Sequence, residues 1–349
     1  VRLFCYVVTT KVRVWQQMSK ILAAIFVIHD KKMPCATHSP LLQAQNLAFL
    51  IDHRNFASLF KQLLIRPMNI IHTVAELRTQ VSCAKAAGKK VGLVPTMGAL
   101  HEGHASLIRR SVEECGCTVV SVFVNPTQFN DPNDLKNYPR TLDADCALID
   151  KLGADIVFAP TAEEMYPTPD TRVFSYPPID TVMEGARRPG HFNGVCQVVS
   201  KLFDMVQPDR AYFGEKDFQQ IAVVRAMMKD QGFGFELVPC PIVRDERGLA
   251  LSSRNALLSV SERLLAANIC RILRESVSFA RALTVKEVVD TVVRRINAVD
   301  GLEVEYFQIV NAETLQPIDD WNDAARVQGC ITVYCGERRV RLIDNIAYQ

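Results

Sequence analysis

The sequence predicts an α/β fold: a parallel sheet with helices on both faces, followed by a smaller C-terminal α+β domain. Two observations carry this prediction. From Met68 to about Ile242, short apolar runs rich in β-branched residues alternate with segments of helical apolar spacing, a rhythm that means parallel strands joined by crossover helices. After Ile242 the rhythm changes to two helices followed by alternating strands. The expected division is therefore 68–241 for the parallel-sheet domain and 242–349 for the smaller α+β domain, with 1–67 as an N-terminal extension, disordered or non-native.

The elements can be justified in order. Thr73-Val-Ala-Glu76 is a capping box that opens a helix with Val74, Leu77 and Val81 on one face, and Gly88 stops it. Val91–Val94 reads as a buried strand, and a helix begins near His104 with Leu107, Ile108 and Val112 aligned. The strand Thr118–Val124 leads into a polar loop, Asn125–Asn137, then a helix near Asp143–Leu152 and the strand Asp155–Phe158. The alternation continues through the helix Val195–Val206, the strand Ala211–Phe213, the helix Phe218–Lys229 and the strand Phe235–Val238. In the smaller domain, Ser259-Val-Ser-Glu262 and Thr284-Val-Lys-Glu287 are capping boxes, and Glu303–Ile309 and Cys330–Tyr334 alternate as strands.

Composition narrows the functional classes. With 40 Lys+Arg against 38 Asp+Glu the formal charge is +2, so neither nucleic acid nor a membrane surface is an expected partner, and an anionic substrate must be held by local groups. The 11 cysteines include no C-x-x-C pair, which argues against a zinc ribbon or disulfide scaffold and fits a reducing, cytoplasmic location. The apolar run Ile21–Ile28 is far shorter than the roughly 20 residues a membrane span requires. No G-x-x-x-x-G-K-[ST] loop occurs, so a P-loop kinase is disfavoured.

The chemistry concentrates in Pro95-Thr-Met-Gly-Ala-Leu-His-Glu-Gly-His104, between a buried strand and a helix start. Free N–H groups at a helix start attract phosphate, Gly98 and Gly103 allow close approach to the backbone, and His101 and His104 can donate to phosphate oxygens. A lone H-x-x-H would read as two surface histidines or half a metal site; the strand, glycines and helix start favour phosphate. H-E-x-x-H is absent because position 105 is Ala, which excludes a zinc protease of that type.

His101-Glu-Gly-His104 resembles the H-x-G-H element of the nucleotidyltransferase superfamily that includes class I aminoacyl-tRNA synthetases, and its flanks resemble the pantothenate synthetase family in particular. Four further stretches resemble that family in family order: Val124-Asn-Pro-Thr-Gln-Phe129, Gly190-His-Phe-Asn-Gly-Val195, Phe213-Gly-Glu-Lys-Asp-Phe-Gln-Gln220 and Leu249-Ala-Leu-Ser-Ser-Arg-Asn255. The resemblance covers Met68 to the C-terminus. It implies a Rossmann-like nucleotide-binding N-terminal domain, a C-terminal α+β lid domain, a homodimer, and ATP-dependent joining of pantoate to β-alanine through a pantoyl adenylate, releasing AMP and pyrophosphate.

Adenylation converts a poor acyl donor into a good one by in-line attack on the α-phosphate, and charge on the reacting phosphorus and departing pyrophosphate must be neutralised. The expected catalytic residues are His101 and His104 at the α-phosphate, with Lys216, Ser252, Ser253 and Arg254 at the β- and γ-phosphates. The expected ATP site comprises Pro95, Thr96, Met97, Gly98, Ala99, Leu100, His101, Glu102, Gly103 and His104, then Gly214, Glu215, Lys216 and Asp217, then Val243 through its backbone, and Leu251, Ser252, Ser253 and Arg254.

Neutral amides can hold pantoate without pairing away the charge of its carboxylate nucleophile. By resemblance these are Gln128, also near β-alanine, and Gln220, whose neighbour Gln219 reads as an exposed helix residue. ATP chemistry implies Mg²⁺. In Thr141-Leu-Asp-Ala-Asp145, Asp145 is the expected ligand, although an Asp at a helix start also serves as a dipole partner, the reading given to Asp143. Two other functions compete: an adenylyltransferase acting on a phosphorylated acceptor, which needs a basic acceptor pocket, and a synthetase-like RNA-binding protein, which needs a basic appendage with interleaved aromatics.

Overall fold

In the computed structural model, residues 68–348 other than Asp131 are described, so the extension expected at 1–67 and its apolar run lie outside the described residues. Six short strands, β1 (Asn69–Ile71), β2 (Val91–Thr96), β3 (Cys117–Val122), β4 (Ile156–Phe158), β5 (Arg210–Gly214) and β6 (Glu236–Cys240), form one parallel sheet in the order β1-β4-β3-β2-β5-β6. Its strands are continuous apolar runs because both faces are covered. Leu93 and Val119 point into a core with Leu77, Phe203 and Met227, while their neighbours Val94 and Val120 point the other way onto Ile108 and Ile149. Each such fully buried aliphatic side chain contributes about 1.5–3 kcal/mol relative to exposure.

The covering helices are α1 (Val74–Ala86), α2 (Glu102–Glu114), α3 (Leu142–Leu152), α4 (His191–Val206) and α5 (Phe218–Gln231). α1, α4 and α5 supply one core and α2 and α3 the other, so helices flank both faces. The chain runs from β2 outward through β3 to β4 and then returns to the opposite side of β2 as β5. That reversal opens a crevice beyond the carboxyl ends of β2 and β5, where such sheets bind ligands.

The C-terminal part packs α6 (Val260–Phe279) and α7 (Val285–Asn297) on an antiparallel sheet of β7 (Leu302–Asn311), β8 (Val327–Cys335) and β9 (Val340–Ala347). Two of the three predicted capping boxes form, while at Thr73 only the bond from Glu76 N to Thr73 Oγ1 is made. Ser259 Oγ accepts from Glu262 N while Glu262 Oε2 accepts from Ser259 N, and Thr284 and Glu287 repeat the exchange. No helix among the described residues is long and apolar enough to cross a membrane.

Some elements differ from expectation. α4 begins at His191, four residues before the expected Val195, because Gly190 takes a positive φ of 81° and turns the chain into the helix. The polar loop after β3 contains a helical turn, Pro126–Gln128, and a short helix, Pro132–Asn137. β1 and β9 went unread, β9 because its polar Arg341, Asp344 and Asn345 break the expected alternation.

Candidate active site

The loop after β2 holds a strained backbone. Gly98 and the non-glycine Ala99 both have positive φ, 81° and 49°, which turns successive N–H groups to one side. The anion in that cradle is the protein's own. Asp145 Oδ2 accepts from Ala99 N at 2.9 Å and Oδ1 from Leu100 N at 2.7 Å, and Thr141 Oγ1 donates to Oδ2 at 3.2 Å. Asp145 is 3% exposed.

This corrects two expectations. The N–H groups of Ala99 and Leu100 are not free for phosphate, and Asp145 does not fit an Mg²⁺ site because both its oxygens are buried and committed. Gly98 is required by the brace itself, since a Cβ there would lie 3.0 Å from Asp145 Oδ2. Among the described residues no group of three or more His, Cys, Asp or Glu side chains could hold a metal ion.

The two motif histidines sit at the start of α2 with their tautomers fixed. His101 is the N-cap; its Nδ1 accepts from Gly103 N at 3.1 Å, and a Cβ on residue 103 would come within 2.8 Å of that nitrogen. His104 Nδ1 accepts from His101 N at 3.4 Å. Since both Nδ1 atoms accept, each neutral ring carries its proton on Nε2. Burial, with Lys216 nearby, lowers the His101 pKa to about 4. Burial, then His101 and Lys216, lowers that of His104 to about 3. The rings lie 4.1 Å apart, a pair of neutral donors that both feel the charge of Lys216.

Lys216 stands opposite, in the turn Glu215–Asp217 after β5, with Nζ 3.6 Å from Asp217 Oδ1. β9 holds this turn from behind, for Asn345 Nδ2 donates to Glu215 O at 2.9 Å and Lys216 O at 3.0 Å. The loop carrying Leu251 to Arg254 closes onto the β2 loop. Ser253 Oγ donates to Ala99 O at 3.0 Å, Ser252 Oγ accepts from Arg254 N, and Leu251 N donates to Val243 O at 3.0 Å. Arg254 pairs with Asp134 at 2.9 Å, so a phosphate must compete with that carboxylate. Lys216, Asp217, Gln220 and Arg254 line one cavity, and the lining residues that the sequence reading missed include Arg188 and His191.

His191 Nδ1 donates to Gln128 O at 2.8 Å, which leaves its Nε2 to accept from Arg188 Nη1 at 3.1 Å. Burial, then the neighbouring Arg254, lowers the Arg188 pKa to about 10. Its nearest carboxylate, Glu184, is 3.9 Å away and occupied by Arg341, Tyr306 and Thr332 from the C-terminal sheet. Burial would raise the Glu184 pKa, but the Arg341 guanidinium outweighs it and holds the carboxyl at about 2. Gln219 is a correction as well: it is buried, accepting from Glu184 N and donating to Ile179 O and Val182 O, so it pins the segment that carries Glu184.

On the other wall, Gln128 Oε1 accepts from Asn125 Nδ2 at 3.3 Å, and its Nε2 lies 2.9 Å from Met97 Sδ. The nine cysteines among the described residues are all thiols, and those in the cores act as small apolar side chains.

Comparison with known proteins agrees with this architecture. The sequence profile of the family described as pantoate-beta-alanine ligase matches residues 69–347. A pantothenate synthetase of Bacteroides thetaiotaomicron is 63% identical over 282 residues, 81% of this chain and 99% of the relative. One from Porphyromonas gingivalis is 57% identical over 81% of this chain and 100% of its own. The crystal structure of pantothenate synthetase from Thermus thermophilus superposes with a TM-score of 0.74 at 45% identity, covering 80% of this chain and 99% of that one. The pantoate-beta-alanine ligase of Francisella tularensis, solved in complex with beta-gamma ATP and beta-alanine, gives 0.68 at 34% identity over 80% and 98% of the two chains. The chain belongs to the pantoate–β-alanine ligase family, enzymes that condense pantoate with β-alanine to form pantothenate.

Proposed function

We propose that ATP binds in the crevice beyond β2 and β5, with residues 68–241 as the nucleotide-binding domain and 242–349 as the lid, and that pantoate attacks its α-phosphate there. The observation that carries this reading is the pair of neutral imidazoles, both with the proton on Nε2, with Lys216 near enough to act on each. Neutral donors at a phosphorus that gains charge stabilise the transition state more than bound ATP, which is what lowers a barrier. His101 and His104 act on the α-phosphate. Lys216, Ser252, Ser253 and Arg254 receive the charge that grows on the leaving pyrophosphate, with Arg254 exchanging Asp134 for phosphate oxygens.

Gln128 and Gln220 hold pantoate by amide hydrogen bonds, and β-alanine then attacks the acyl carbon from the Gln128 side and expels AMP. Asp145 would not hold Mg²⁺; an Mg²⁺ brought by the nucleotide would supply further neutralisation of phosphate charge. The enzyme acts as a homodimer in the cytoplasm; the thiol state of the described cysteines fits that reducing compartment. The test is pantoate-dependent exchange of labelled pyrophosphate into ATP, run without β-alanine. Exchange with pantoate and none with pantoate omitted is the expected result; exchange that needs β-alanine would remove the adenylate from the mechanism.

A further inference from the structure

Behind Gln128 lies a chain of side-chain hydrogen bonds that the reaction above does not use. Tyr166 Oη donates to Asn125 Oδ1 at 2.8 Å, and Thr127 Oγ1 donates to the same oxygen at 3.2 Å. Asn125 Nδ2 donates to Gly194 O at 3.1 Å and to Gln128 Oε1 at 3.3 Å. Asn125 is 1% exposed, so each of these groups needs its partner within the protein.

The direction of every bond in the chain is forced. A main-chain carbonyl only accepts, so the Asn125 nitrogen must face Gly194 and its oxygen must face the two hydroxyls. The same nitrogen meets Gln128, which turns the Gln128 oxygen inward and its NH₂ outward, beside Met97. Thioether sulfur is a weak acceptor, so this NH₂ remains available to a stronger one. The anchor exists because α4 seats directly on the Gln128 turn: a Cβ at Gly194 would lie 2.3 Å from Thr127 O. Burial raises the Tyr166 phenol, which therefore stays a proton donor through neutral pH.

We infer that Tyr166 is a positioning residue for pantoate: through Asn125 it fixes the Gln128 amide so that the site presents an N–H donor, not a carbonyl, to the acid. The inference rests on the assignment of Gln128 to pantoate. An unrestrained amide turns over at little cost, and with its oxygen outward it repels a carboxylate or a hydroxyl lone pair. Tyr166 supports the orientation that excludes this, since reversal of Asn125 would set its oxygen against Gly194 O and give up both hydroxyl bonds to Oδ1.

The experiment is calorimetric titration of pantoate into the full chain with a non-hydrolysable ATP analogue, for wild type, Tyr166→Phe, Gln128→Ala and the double variant. Phenylalanine keeps the ring that packs against Phe123 and faces Lys201, and equal melting midpoints certify the fold. Tyr166→Phe is expected to weaken pantoate about five- to tenfold, the scale of one hydrogen bond, while leaving the ATP analogue unchanged. In the Gln128→Ala background it is expected to add nothing, because its effect passes through Gln128. The same fold-loss in both backgrounds, or a matching loss for the nucleotide, overturns the relay and makes Tyr166 a packing residue. Normal pantoate binding by Gln128→Ala overturns the assignment of Gln128 instead, whereas weak binding by Gln128→Ala with normal binding by Tyr166→Phe overturns the relay alone.

Discussion

Replacing Asp145 with Asn separates a loop brace from a metal ligand. The carboxylate accepts from Leu100 N through one oxygen and from Ala99 N and Thr141 Oγ1 through the other, all in a buried setting. Asparagine keeps a single acceptor, so in either amide orientation its NH₂ faces a main-chain N–H. One unmatched buried donor costs about 1–3 kcal/mol, and the surviving bond loses charge assistance of roughly 1 kcal/mol. The left-handed Ala99, itself a strain of about 1–3 kcal/mol, depends on the same contacts, so relaxation of the loop limits the loss without removing it. The sum is about 3 kcal/mol, a fall of roughly 6–12 °C in melting midpoint at about 2–4 °C per kcal/mol for a unit the size of the domain 68–241. Scanning calorimetry with and without Mg²⁺ reads the effect, which should be the same in both. A midpoint within about 2 °C of wild type, joined to an Mg²⁺ requirement raised about tenfold, would refute the brace and restore Asp145 as a ligand.

Four further outcomes are expected. Because the His101 and His104 pKa values are lowered to about 4 and about 3 from 6.5, pyrophosphate exchange should show no titration near pH 6.5; an acid limb centred there would contradict their neutrality. The sign for stability follows, since the unfolded chain takes up these protons first: melting midpoints should hold above pH 6.5 and decline as pH falls toward about 4. Lys216→Ala should slow adenylation by about 10²-fold or more and spare aminolysis of supplied pantoyl adenylate, whereas Gln220→Ala should impair both half-reactions, as single-turnover kinetics would read; equal damage to both steps by Lys216→Ala contradicts its assignment to the leaving group. The fragment Met68–Gln349 should retain full activity, and loss of soluble, active protein on that truncation would make residues 1–67 integral.

What the sequence disclosed was local. The alternation of Leu93 and Val94 across the sheet, the capping boxes at Ser259 and Thr284, and the histidine pair at a helix start all depend on neighbours within a few residues. What it concealed was long-range. Nothing near Asp145 announces that its partners are the N–H groups of Ala99 and Leu100, and an aspartate in a first helical turn carries the same local pattern whether it meets a dipole, a metal or a distant loop. Gln219 was misread for the same reason, because the segment that buries it lies some forty residues earlier. Arg188, His191, Asn125 and Tyr166 enter the site's neighbourhood only through the crossings of α4, the β3 loop and the segment after β4. A chemical rule could have found Asn125 alone, since an Asn-Pro-Thr-Gln turn after a buried strand must satisfy its amide somewhere.

The histidine geometry also explains why the motif needs both its spacing and its glycine. A protonated imidazole beside Lys216 would bind ATP more tightly in the ground state and gain less as charge develops, and burial makes that form costly here. Keeping the rings neutral is not enough, because a neutral imidazole can present either a donor or a lone pair. The helix start resolves the choice: its unpaired N–H groups seek acceptors, and His101 and His104 supply them through Nδ1, the nitrogen nearer the backbone. Gly103 leaves room for the first ring to fold back, and the three-residue step brings the second ring over the His101 N–H. The same bonds that cap α2 therefore leave the proton of each neutral ring on Nε2, so the stability of the helix and the polarity of the two imidazoles depend on one set of contacts.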